Sequence, residues 1–292
     1  MVIFPVHECI IGRDILSSWQ NPHIGSLGDR VRAVNQKQYH IPGEIAEISA
    51  TTKNLKDAGM VIPTTTPFNS LNWPLQKTDE SWRLTANCHK LSQMVTPIAA
   101  AIPDAVSLLE QINTSPGTWY AATDLANAFF FILVHKDHMK QFAFSWQSQK
   151  YTFTVLPQGY TYSPASCHNL VHRDLDHISA PQNITLVHYI DDIMLIRSTE
   201  QEVANTLDLL VRHLHARGWE INPTKIQGPS TSVKFLGVQW CGVCQGIPSK
   251  VKDKLLHLAP PTTKKEARCL VDLFGFWRQN SPHLSVLLWP IY

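Results

Sequence analysis

Apolar positions along the 292-residue chain change their period several times. In residues 44–57, Ile45, Ile48 and Leu55 fall near helical spacing and Gly59 stands where a C-cap belongs, which predicts a helix. Pro63, Pro67 and Pro74 then divide the chain into short extended pieces. Residues 104–112 predict a helix with Pro103 at its first turn and Val106, Leu109 and Ile112 on one face. The pattern next becomes β-rich. Residues 119–125 form a buried strand that runs into Asp124, and further strands are predicted over 129–134, 141–146 and 151–156. Ser163 and Pro164 supply the N-cap and N1 residues of a helix reaching about Ile178. Two apolar runs, 184–190 and 193–196, flank Asp191-Asp192 and predict a β-hairpin. A helix over 200–217 is closed by Gly218, 233–240 reads as one strand, and helices follow over 249–258 and 263–278. Strands and helices mix without βαβ regularity or internal repeats, which predicts an α+β fold.

Composition narrows the class. The chain is 44% hydrophobic and 16% charged, so it can bury a core. A net charge of +2 permits a nucleic-acid partner without arguing for one. Between Lys250 and Arg268, Lys252, Lys254, Lys264 and Lys265 add to a basic stretch that suits a phosphate backbone or a plain solvated helix face. The six cysteines are scattered, which fits a reduced intracellular compartment, most simply the cytoplasm. Cys241 and Cys244 have zinc-like spacing, but no second Cys or His pair follows, so a hairpin turn is the better reading. The fourteen histidines form no metal-binding pattern and read as surface or core residues. No signal peptide is visible, and no window approaches the ~18 apolar residues of a membrane span, so a soluble protein without a membrane partner is expected.

The sharpest chemical signal is the hairpin Tyr189-Ile190-Asp191-Asp192-Ile193. Aspartate is ordinary in a turn, but two adjacent carboxylates repel each other. A divalent cation reverses that sign. Asp124, at the end of its own apolar strand, offers a third carboxylate. Three carboxylates on neighbouring strands are the minimum for two Mg²⁺ ions that clamp an in-line phosphoryl displacement. Alone, Asp124 reads better as a strand-end or helix N-cap aspartate.

At this point four motifs resemble one family. Tyr189-Ile190-Asp191-Asp192 resembles the YxDD motif of retroviral reverse transcriptases. Residues 123–130, T-D-L-A-N-A-F-F, resemble its first catalytic strand. Leu156-Pro157-Gln158-Gly159-Tyr160 with Ser163-Pro164 resembles its L-P-Q-G segment, and Val233-Lys234-Phe235-Leu236-Gly237 resembles the strand before its thumb. The order and spacing are those of the family, over about residues 35–292, with the nearest likeness to endogenous gammaretrovirus-like Pol polyproteins. Residues 8–16, E-C-I-I-G-R-D-I-L, are similar to the C-terminal end of retroviral aspartic proteases. The resemblance therefore implies a protease tail and junction over 1–34, fingers and palm over 35–241, and the start of a thumb over 242–292, in a right-hand polymerase fold.

It also implies roles. Asp124, Asp191 and Asp192 would hold two Mg²⁺ ions, with Mn²⁺ able to substitute, and catalyse RNA-directed addition of dNTPs to a primer 3′-hydroxyl. Lys77 and Arg83 would hold the triphosphate, with Leu125, Phe129, Gln158 and Tyr189 completing the dNTP site. Phe129 would exclude a 2′-hydroxyl by its bulk. An RNA or DNA template-primer would be the partner, in an oligomeric state the sequence leaves open. Two departures stand against this. Asn87 replaces an expected Asp, and His89 stands where Tyr or Arg is usual. With the chain stopping at Tyr292, before connection and RNase H segments, they favour a second reading: an inactive endogenous-retroviral remnant that at most binds nucleic acid.

Overall fold

The computed structural model describes residues 34–36, 45–76, 82–94, 102–110, 112, 115–178, 184–242, 244–257 and 259–275. The protease-like segment up to residue 33, Lys77 and the end of the last predicted helix lie outside them. In chain order the elements are α1 (Ile45–Asp57), β1 (Val61–Pro63), β2 (Leu71–Gln76), β3 (Trp82–Asn87), α2 (His89–Met94), α3 (Ala105–Glu110), β4 (Trp119–Asp124), α4 (Lys136–Met139), β5 (Ala143–Trp146), β6 (Gln149–Phe153), α5 (Ser163–Asp176), β7 (Thr185–Tyr189), β8 (Asp192–Arg197), α6 (Glu200–Ala216), β9 (Gln227–Ser230), β10 (Ser232–Phe235), β11 (Val238–Cys241), β12 (Cys244–Gly246), α7 (Ser249–Leu256) and α8 (Lys264–Gly275).

The centre is a four-stranded sheet in the order β7-β8-β4-β9, with every neighbouring pair antiparallel. Side chains alternate between its faces. Ala121, Ile193 and Leu195 lie in one core with Leu170, Val171 and Leu175 of α5 and Val203, Leu210 and Leu214 of α6. Tyr120, Ala122, Met194 and Ile196 lie in a second core with Val233 and Phe235 of β10 and Val238 and Trp240 of β11. Strand β8 is therefore buried on both sides, which is why its sequence is an unbroken Ile-Met-Leu-Ile run rather than an alternating one. The earlier strands form the hairpin β2–β3 and the sheet β1-β6-β5, and α1 buries Ile48, Thr52 and Leu55. Ile45, predicted on that buried face, is 49% exposed.

Several boundaries differ from the sequence prediction. Residues 129–134 are not a strand: Ala128–Phe131 form a 3-10 turn, and only Leu133 bridges to Val155. Asn127, at φ +52°, turns the chain out of the line of β4. A short apolar run does not distinguish strand from helix by its period, so the aromatic run was open to either. The predicted strand 233–240 is two strands, because Leu236 and Gly237 take φ +47° and +78° and reverse the chain. Tyr162, not Ser163, occupies the cap position of α5, while the Ser163 hydroxyl, fully buried, donates to the Pro157 carbonyl at 2.9 Å. Asp104 caps α3 by accepting from the Ser107 amide at 2.9 Å, so Pro103 lies before the helix. Gly218 closes α6 at φ +89° as predicted, and Cys241 pairs with Cys244 across a hairpin.

Candidate active site

Strands β4 and β8 run antiparallel with Asp124 directly opposite Asp192. Such neighbours have Cβ atoms about 4.5–5.5 Å apart. The β7–β8 hairpin pairs Tyr189 with Asp192, so the two turn residues are Ile190 and Asp191, one position earlier than predicted. Asp192 is thus a strand residue and Asp191 a turn residue. Ile190 takes φ +59°, the place glycine holds in a type II′ turn. A left-handed conformation at a β-branched residue costs about 1–3 kcal/mol and persists only where its surroundings enforce it. Two amides do so here. The Leu125 amide donates to the Asp191 carbonyl at 2.9 Å, and the Ile190 amide donates to Nδ1 of His168 at 3.2 Å.

The three carboxylates are only partly exposed, and their electrostatics are unfavourable. Burial, reinforced by Asp191 and Asp124, pushes Asp192 up to about 6. Burial also raises Asp191, with Asp124 adding to it, while the Lys225 and Arg83 charges pull it back. Asp124 Oδ1 and Thr123 Oγ1 are buried and have no hydrogen-bond partner among the described residues. Crowded, like-charged and under-satisfied oxygens are relieved by a divalent cation, although among the described residues no three His, Cys, Asp or Glu side chains converge as they stand on a point that could hold one.

Lys225 is a site residue that the sequence reading missed. Its Nζ lies 2.5 Å from Asp124 Oδ2, across 101 positions of sequence. It sits on the 3-10 turn Pro223–Lys225, whose cap Asn222 accepts from the Thr224 amide at 3.0 Å. That turn leads into β9, which pairs with β4, while Leu125 bridges to Ile221. The Asn-Pro-Thr-Lys turn signal was visible, but its landing point beside Asp124 was not.

The other predicted residues are distributed as follows. Leu125 is buried at the end of β4, and Phe129 is half-buried on the 3-10 turn. Gln158 is buried with Oε1 unpartnered, and its carbonyl accepts from the Ala86 amide of β3 at 2.8 Å. The approach is close enough that a Cβ on Gly159 would lie 2.1 Å from the Ala86 carbonyl oxygen. Arg83 is exposed on β3. Asn87 Oδ1 accepts from the His89 amide at 3.2 Å, and the His89 ring contacts Gln93, so both departing residues are engaged locally. No helix among the described residues is long and apolar enough to cross a membrane.

Carboxylates on two paired strands of an antiparallel sheet, backed by helices on one face, are an arrangement compatible with metal-assisted phosphoryl transfer. Residues 75–240 match the family "Reverse transcriptase (RNA-dependent DNA polymerase)", and the chain belongs to that family. It is 26% identical over 263 residues to the Gag-Pol polyprotein of Walleye dermal sarcoma virus, covering 89% of this chain and 15% of that protein. It is 27% identical over 288 residues to the Pol polyprotein of Feline endogenous virus ECE1, covering 94% of this chain and 27% of that one. The foamy viral protease-reverse transcriptase, solved with double-stranded DNA and with an RNA/DNA hybrid, superposes with TM-scores of 0.81 and 0.80. Those matches are 27% and 28% identical and cover 90% of this chain but 45% and 35% of the solved ones. The α+β architecture is thus that of a right-hand polymerase of reverse-transcriptase type, a family that depends on divalent metal. The chain spans about a quarter or less of the length of the curated polyproteins it matches.

Proposed function

We propose that this chain is an RNA-directed DNA polymerase unit that adds dNTPs to a primer 3′-hydroxyl, with Asp124, Asp191 and Asp192 holding two Mg²⁺ ions. The observation that carries the reading is the strand register that sets Asp124 opposite Asp192, with Asp191 tied to Leu125. When bound, the cations would lower the pKa of the attacking hydroxyl and neutralise charge on the leaving pyrophosphate. The protein's own part is positional. Asp192, on a strand buried on both faces, and Asp124, at the end of its neighbour, supply fixed oxygens. Lys225 pairs with Asp124 and offsets its charge; Asp124 would have to give up that pairing to hold a cation. Arg83 lies near enough to act on Asp191, and with Lys77 it would hold the triphosphate from the fingers. Phe129 would lie under the sugar, Gln158 would meet the nucleotide with its unpartnered carbonyl oxygen, and Tyr189 would flank the turn.

Template and primer would be gripped through backbone charge and A-form shape, so binding should weaken steeply with salt. The nucleic acids solved with the foamy viral enzyme support that partner class. The domain limits 1–34, 35–241 and 242–292 belong to the same proposal. The test is primer extension on an RNA template with Mg²⁺ or Mn²⁺, beside Asp191→Asn. Extension lost in the variant supports the reading. Absence of extension from folded wild-type protein that binds RNA/DNA would favour the inactive remnant, for which the substitutions at Asn87 and His89 are the specific observation.

A further inference from the structure

Behind the YIDD turn lie three histidines that the proposed reaction does not use. His168 and His172 are on α5, and His188 is on β7. The His168 and His188 rings stack 4.1 Å apart at an interplanar angle of 5°. His172 continues the stack at 5.4 Å from His188 and 6.1 Å from His168. His168 is 5% exposed and His188 8%. Parallel rings do not converge their nitrogens on one point, so the three imidazoles do not form a metal site. The hydrogen bonds give the stack another task. His188 Nε2 lies 3.2 Å from the His168 carbonyl oxygen, an acceptor, so that nitrogen carries the proton. His168 Nδ1 receives the Ile190 amide at 3.2 Å, so its own proton is on Nε2.

We propose that His168 is a positioning residue for the catalytic turn: its Nδ1 lone pair pins the Ile190 amide and holds Ile190 in the left-handed conformation that presents Asp191 and Asp192 to Asp124. The inference rests on the polymerase reading above and adds a residue to it. His188 acts one step further out, since its ring covers the His168 ring and its Nε2–H ties the helix carbonyl at the same residue. Burial, with His172 next, lowers the His168 pKa, which keeps the accepting lone pair free. A side chain of the same bulk without an acceptor leaves the Ile190 amide unpaired and the turn free to relax toward an ordinary β-branched conformation. Such a relaxation moves the ligand oxygens rather than the nucleotide pocket, so it acts on kcat before KM.

The experiment uses the full chain labelled with ¹⁵N. A through-hydrogen-bond N–N coupling between the Ile190 amide and His168 Nδ1 is expected in the wild type, together with slow exchange of that amide. His168→Asn places an acceptor oxygen near the lost Nδ1 and should keep Ile190 protected. His168→Leu should lose the protection, weaken Mg²⁺ binding measured by calorimetry, and lower kcat for primer extension roughly 10- to 100-fold with the dNTP KM changed less than about 3-fold. His168→Asn should restore kcat to within about 3-fold of wild type. No coupling in the wild type, or an Ile190 amide and Mg²⁺ affinity unchanged in His168→Leu, overturns the proposal. Lack of extension by the wild type overturns the polymerase reading instead, and the coupling and the Mg²⁺ titration then decide the role of His168 by themselves.

Discussion

Replacing Asp192 by Asn should make the metal-free protein more stable. Burial first, then the charges of Asp191 and Asp124, hold this carboxyl at about 6 against an ordinary 3.8. The unfolded chain therefore ionises before the folded one. The stability this group contributes is fully present below about pH 3.8 and is lost as pH rises through 6. At about 1.4 kcal/mol per pH unit the loss is roughly 3 kcal/mol, and solvent screening of the partly exposed site reduces it to about 2. Asn keeps the shape and removes the charge, so in EDTA at pH 7 the variant should unfold about 3 °C higher than wild type. The gap should close toward pH 4. Added Mg²⁺ should raise the wild-type transition and leave the variant's nearly unmoved, because only the intact cluster binds it well. Thermal melts followed by circular dichroism from pH 4 to 7.5, with and without Mg²⁺, read all of this. A variant less stable than wild type at pH 7 in EDTA, or a gap that stays constant down to pH 4, would refute the reasoning.

His188 imposes the opposite pH dependence. Burial and the neighbouring His168 lower it from 6.5 to about 4, so its neutral form is favoured in the fold, and stability present above pH 6.5 is lost as pH falls through 4, by up to about 3 kcal/mol. Urea unfolding at pH 7.5 and 5 should show a smaller acid loss in His188→Gln than in wild type, and equal losses would contradict the assignment. Gly159→Ala should cost at least about 3 kcal/mol, because φ is +99° and the added Cβ meets the Ala86 carbonyl at 2.1 Å, backbone that cannot step aside. Since that contact sets Gln158 against β3, the surviving folded fraction should also show a raised dNTP KM, which steady-state extension measures.

The sequence made the site legible wherever chemistry and local pattern coincided. The paired runs around Asp191-Asp192 and the strand ending on Asp124 could be found because a hairpin and an apolar strand are both local objects. The exact turn was not, because Ile190 adopts a conformation its own side chain disfavours, and only contacts from α5 and β4 enforce it. Lys225 and His168 escaped for the same reason, since each reaches the site from a distant part of the chain. The histidines looked dispersed because 20 residues separate the two that stack most closely. The aromatic run after Asn127 was misread because the residue types that favour strands also fill a buried 3-10 turn. Asp174 shows the same limit away from the site: it is 5% exposed and accepts from the Trp219 indole at 2.8 Å, a pairing invisible to any local rule.

Strand β8 belongs to both cores, and it begins at Asp192. A segment gripped from two sides has no inexpensive sub-global opening, so its amides should exchange only when the whole domain opens. One of the three proposed ligands therefore shares the lifetime of the fold itself. Control over the proposed activity is then expected to come from elements outside this sheet or from a partner, since softening the sheet enough to quiet the site would dissolve the molecule.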